Sequence, residues 1–181
     1  MKRLHKILIS VGIIILIGIL IIADIADRDI YYSIHIPEKE ITEFHFYQSF
    51  EEKKKAYERN YGNSEWKFPK EKTETIKLYE NKLLISRIAS KTLSKKIKTE
   101  MINFLNNSEN FSWSETTWSL KEAEYILRFY NSENEEIGKV WLCLKGCGMT
   151  KSIPFSPNMK FGGISEVGKI KIAEILNKIK E

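Results

Sequence analysis

The stretch AEYILRFYNSENEEIGKVWLCLKG, residues 123–146, decides the fold. Two β-prone runs rich in Ile, Val, Phe, Tyr and Trp flank a polar break at Ser132–Glu136, which reads as two strands joined by a turn. GMTKSIPF, residues 148–155, supplies a third strand, and Pro154 places its end at a sheet edge or exit because proline has no N–H to give a ladder. The centre of the chain is therefore a three-stranded meander.

Working back from it, TIKLYENKLLISRI (75–88) reads as a hairpin turning at Glu80-Asn81, since asparagine tolerates the positive φ of tight turns. Leu93, Ile97, Met101, Phe104 and Leu105 then recur at helical spacing. They predict a helix of three to four turns entered through Thr92 or Ser94 and stopped by Asn106-Asn107. Further back, Phe44, Phe46 and Phe50 alternate with polar residues in ITEFHFYQSF (41–50), the period of a half-buried strand. Residues 51–73, dense in Lys and Glu and broken by Gly62 and Pro69, read as a charged exposed connection. Forward of the meander, SPNMKFGG leads to a closing helix. Ser165 is its cap, Glu166 suits its first turn, and Ile172, Ile175, Leu176 and Ile179 form its buried stripe. Strands grouped apart from helices predict an α+β class: an antiparallel sheet with two helices packed on it.

Residues 7–23, ILISVGIIILIGILIIA, carry no charge. As a helix this run spans about 25 Å, close to the hydrocarbon thickness of a bilayer. A cut after Ala23 or Ala26 would place Ile21 or Asp24 at the −3 position, where signal peptidases require a small residue. An uncleaved anchor is therefore expected, with 1–26 as cytoplasmic tip and transmembrane helix and 27–181 as an exported domain. Lys2, Arg3 and Lys6 precede the run, whereas Asp24, Asp27 and Asp29 follow it with only Arg28 among them. The positive-inside rule keeps the N-terminus cytoplasmic and sends the domain to the periplasmic or extracellular side. The chain is +5 overall, and the exported 155 residues keep +3 of it, a mixed surface that does not suit a nucleic-acid partner.

Cys143 and Cys147 are the two cysteines of the chain. A thioredoxin-like redox couple has two intervening residues at a helix N-terminus; here there are three, after a strand-like VWLCL. A metal would need further ligands, and beyond the apolar run only His35 and His45 are available. A three-residue loop at Leu144-Lys145-Gly146 would bring the two cysteines opposite each other at disulfide range, stapling a turn in an oxidising compartment. Trp113 and Trp118 are candidates either for a ligand platform or for the covered end of a core. Glu115, Glu122 and Glu124 offer no spacing that singles out an acid/base pair. Gly162-Gly163 precede a helix without forming a phosphate loop.

Residues 121–180, with FYNSENEEIGKVWLCLKGC, KFGGISEVG and a closing helix, resemble a loose group of uncharacterised exported bacterial proteins that share a strand, a close cysteine pair and a phenylalanine/glycine entry to the last helix. The cysteine spacing here is one residue longer than in that group. The resemblance implies export and fold, and no activity. The expected function is a noncatalytic binding or interaction module of the bacterial cell envelope. Membrane lipid would hold its N-terminal helix and an envelope protein would be its partner, with no cofactor, metal or catalytic residue assigned. The alternative is an envelope thiol oxidoreductase using Cys143 as nucleophile and Cys147 as resolver.

Overall fold

The computed structural model describes residues 2–35, 52, 55, 67–82, 89–113, 119–153, 156–160 and 162–180. The chain opens with helix α1, Lys2–His35. Within it His5–Ile22 has a mean hydropathy of 2.6 and no buried residue, a length and composition that suit membrane anchors and signal sequences alike. The helix runs past the polar cluster Asp24–Asp29, so the helical segment is longer than the apolar run that predicts it.

Seven antiparallel strands follow: β1 (Thr75–Glu80), β2 (Ser90–Thr92), β3 (Phe111–Ser112), β4 (Tyr125–Tyr130), β5 (Glu136–Cys143), β6 (Met149–Ile153) and β7 (Gly163–Ile164). They form one sheet in the order β2-β1-β4-β5-β6-β7-β3. The expected meander is its centre, β4-β5-β6. Two further helices, α2 (Lys95–Leu105) and α3 (Glu166–Lys180), complete an α+β domain. Ser94 caps α2 by accepting from Ile97 N, and Ser165 caps α3 by accepting from Gly168 N at 3.0 Å.

Both helices cover the same sheet face. Met101, Phe104 and Leu105 of α2 and Ile172, Ile175 and Leu176 of α3 join Ile76, Leu78, Leu127, Phe129, Val140 and Leu142 in the main core. The strand side chains of opposite parity, Tyr79, Ile126, Trp141, Cys143, Met149 and Ile153, form a second cluster with Leu120 and Ala123. Burial on both faces explains why β5 shows no clean alternation in sequence.

Three expectations are corrected. The hairpin turn at Glu80-Asn81 is not tight. Tyr79 pairs with Ser90, and Asn81 instead donates Nδ2 to Leu120 O and Ala123 O, leaving the side chain no part in closing a two-residue turn. The three-residue loop at 144–146 is a five-residue loop, because Cys143 pairs with Met149 and both Gly146 and Gly148 take positive φ. Part of the supposedly exposed 51–73 connection is core. Phe68 is buried, its ring edge-on to Phe129 at 5.1 Å, in space left open by the missing side chain of Gly138. The strand expected at 41–50, the hairpin arm 83–88, Pro154 and most of 51–66 lie outside the described residues.

Candidate functional site

The β4–β5 turn and the antiparallel register place Arg128 opposite Lys139, Ile126 opposite Trp141 and Trp141 opposite Lys151. Alternation along each strand then points Lys77, Tyr79, Arg128, Tyr130, Lys139, Trp141, Lys151 and the cysteine Cys143 to the face away from α2 and α3. At one end of this face cations and aromatic rings interleave. Lys77 Nζ lies 4.9 Å from the Tyr130 ring centre, the Arg128 guanidinium 5.3 Å from that of Tyr79, and Lys139 Nζ 5.4 Å from that of Trp141. Such contacts contribute about 0.5–1 kcal/mol each where partly exposed and more when desolvated. One carboxylate ties two of the cations: Glu136 accepts from Arg128 at 3.1 Å and lies 3.5 Å from Lys139 Nζ. Lys139 is only 1% exposed, and an ammonium so buried depends on that carboxylate. Burial and a hydrogen bond with Tyr79 push the Tyr130 hydroxyl well above the usual phenol range.

Lys151 differs. It is half-buried, and burial holds its amine below the ordinary lysine value of 10.5. Between its folded and unfolded values the unfolded chain binds more protons, so stability rises with pH there. The cost of keeping Lys151 is full below its lowered folded value and vanishes as pH climbs through 10.5. Lys151→Met is therefore expected to raise the melting temperature at pH 7, with the gain fading towards pH 10.5. Circular-dichroism melts at pH 7, 9 and 10.5 check it.

The cysteines sit at the other end of the same face. Cys143, the last residue of β5, is 1% exposed beside Trp141 and Met149, and Cys147 is half-buried. They lie at disulfide distance, with Cα atoms 5.8 Å apart. Closing so short a loop contributes about 2 kcal/mol by chain entropy. The loop is held from outside as well. Glu124 accepts from Leu144 N at 2.6 Å and Lys145 N at 2.8 Å, one oxygen each, while its own N–H donates to Leu142 O.

The other sequence candidates do not converge on this face. Trp113 is half-buried after β3, three strands from β5 in sheet order; Trp118, Glu115 and His45 lie outside the described residues, and His35 ends α1. Glu122 is exposed and Glu124 caps the cysteine loop. Gly162 takes φ +92° and lets Thr150 O approach to where a side chain would stand, so the glycine pair before α3 serves chain packing. Among the described residues no three His, Cys, Asp or Glu side chains gather. Sequence reading missed the grouping of Lys77, Arg128, Glu136 and Lys139 on one face. The signal was present in the alternation of Lys139, Trp141 and Cys143, which sets a charge in line with two core residues.

Searches against known protein families, curated proteins and solved structures find no match to this chain.

Proposed function

We propose that the chain is a noncatalytic binding module of a bacterial cell envelope. It is held by α1 as a single transmembrane anchor with the N-terminus cytoplasmic and residues 27–181 outside. The observation that carries the binding role is the rim of the helix-free sheet face. There Lys77 and Tyr130 are half-buried and Arg128 keeps 15% of its side chain exposed, and arginine and tyrosine are among the side chains that most often anchor protein interfaces. Their partner in this reading is an envelope protein. The unburied apolar window of α1 and the cysteine pair, which suits an oxidising compartment, support the anchored and exported part.

A photo-crosslinking residue placed at Lys77 in the full chain, in its native membranes, is expected to give a discrete protein adduct that the same residue at exposed Thr99 does not. Equal adducts at both positions, or none at Lys77, would reject the binding face. Release of the chain by alkaline extraction would reject the anchor.

The half-buried Cys147 favours one second reading, a thiol oxidoreductase. Against it, Cys143 is sealed from an approaching substrate disulfide. A disulfide still intact at potentials below about −300 mV would end the redox reading.

A further inference from the structure

The sheet has two edges, and the chain treats them differently. At the β3 edge the outward backbone groups of Phe111 are spent: its N–H donates to Ser108 O and its C=O accepts from Lys160 Nζ at 2.7 Å. At the opposite edge β2 joins only β1. Leu93 N donates to Ile76 O, and the register carries that bonded pairing two residues back to Lys91 and Leu78. Ser90 and Thr92, which face Tyr79 and Lys77, therefore turn their N–H and C=O groups away from β1. Among the described residues no hydrogen bond reaches these four groups, and all of β2 is exposed. Unspent donors and acceptors two residues apart are the template on which another extended chain pairs.

The side chains around that edge select what pairs there. Lys91 stands at its centre on the helix-bearing face and donates to Ile179 O at 3.2 Å, and Lys95 and Lys96 open α2 just beyond. All three lysines are exposed, and among the described residues no carboxylate forms an ion pair with them. A second copy pairing antiparallel through Ser90 and Thr92 would set Lys91 against Lys91, and like charges directly opposite are destabilising. A segment carrying carboxylates gains where that copy loses.

We propose that the open edge of β2 takes an extended acidic segment of a partner protein as a further strand. Main-chain bonds to Ser90 and Thr92 hold the segment, and a carboxylate opposite Lys91 sets its register. This rests on the reading that the chain binds a protein, and it extends the rim, because Thr92 stands beside Lys77.

The test uses the full-length protein in detergent with a short synthetic peptide alternating glutamate and valine, and a lysine-valine peptide as its counterpart. Fluorescence anisotropy gives the Kd, and hydrogen exchange is read residue by residue by mass spectrometry. At a glutamate-peptide concentration about ten times its Kd, the Ser90 and Thr92 amides are expected to exchange about tenfold more slowly, because only the unbound fraction leaves them open. The Phe111 amide at the closed edge should not change, and the lysine peptide should slow none of them. Ser90→Pro removes one outward N–H at the start of an edge strand, where proline is tolerated, and should abolish the protection at Thr92 while the melting temperature holds. Lys91→Glu should reverse the preference between the two peptides. No saturable binding of the glutamate peptide, equal slowing by both peptides, protection that persists in Ser90→Pro, or an unchanged preference in Lys91→Glu would overturn the proposal. The crosslink at Lys77 is scored separately: a protein adduct there without protection at β2 would remove the edge site and leave the binding face standing.

Discussion

Gly168→Ala is expected to cost about 3 kcal/mol or more and to lower the melting temperature by roughly 10 °C, from the usual scale of overpacking and of melting shifts for a chain of this size. Gly168 lies in the first turn of α3, where an added methyl would stand 2.1 Å from Asn110 O and 3.0 Å from Ile164 Cγ2. Asn110 cannot step aside. Its carbonyl accepts from Ser165 N at 3.0 Å, its Nδ2 donates to Phe104 O at 2.8 Å, and its Oδ1 accepts from Lys171. Alanine's better helix propensity returns only about 1 kcal/mol. Gly18→Ala in α1, where nothing lies within 4 Å, is the matched control and should leave the domain's melting unchanged. A thermal melt of both variants decides it, and a shift at Gly168 as small as at Gly18 would contradict the packing described.

Asn106→Ala carries the second large effect, about 3 kcal/mol. As the C-cap of α2, Asn106 accepts from Phe68 N at 2.7 Å through Oδ1. Its Nδ2 donates to Phe68 O at 2.7 Å and Ile102 O at 2.9 Å. One amide thus matches both backbone groups of Phe68 and holds its ring against Phe129 and the gap above Gly138. Truncation leaves Phe68 N–H and C=O in a half-buried place without their partner, each worth about 1–3 kcal/mol of unmet desolvation. Asn106→Asp would keep the acceptor and lose the donor, so it should fall between wild type and alanine. Urea denaturation of the three proteins gives that ranking. Equal stability of wild type and Asn106→Ala would mean that the clamp contributes nothing.

Much of this architecture can be read from residue order. The β4-β5-β6 meander, the α2 stripe with its Ser94 cap and the α3 stripe with its Ser165 cap all carry a period and a boundary residue. Such signals survive because the elements are long and one helix face stays wet. Strands β2, β3 and β7 have only two or three residues and therefore no period to detect; neighbours create them. The cysteine loop is longer than its spacing suggests because Gly146 and Gly148 both turn left-handed, which a reading that assigns one glycine to the turn misses. Asn106 reads as a helix stop, and its second task of gripping Phe68 depends on a residue 38 positions away. The buried Lys139 and the half-buried Lys151 defy the usual exposure of lysine, and only the strand register reveals which face they occupy.

The sheet order carries a consequence for biogenesis. Thr75 must wait for Tyr130 and Phe111 for Ile164, so neither flank of the sheet can close while those later partners are still being synthesised. Pairings this remote in sequence are slow, since the intervening loop must close before any ladder bond rewards it. A nascent polypeptide threaded through a narrow translocation pore would remain loose, and compatible with passage, until its closing helix emerged.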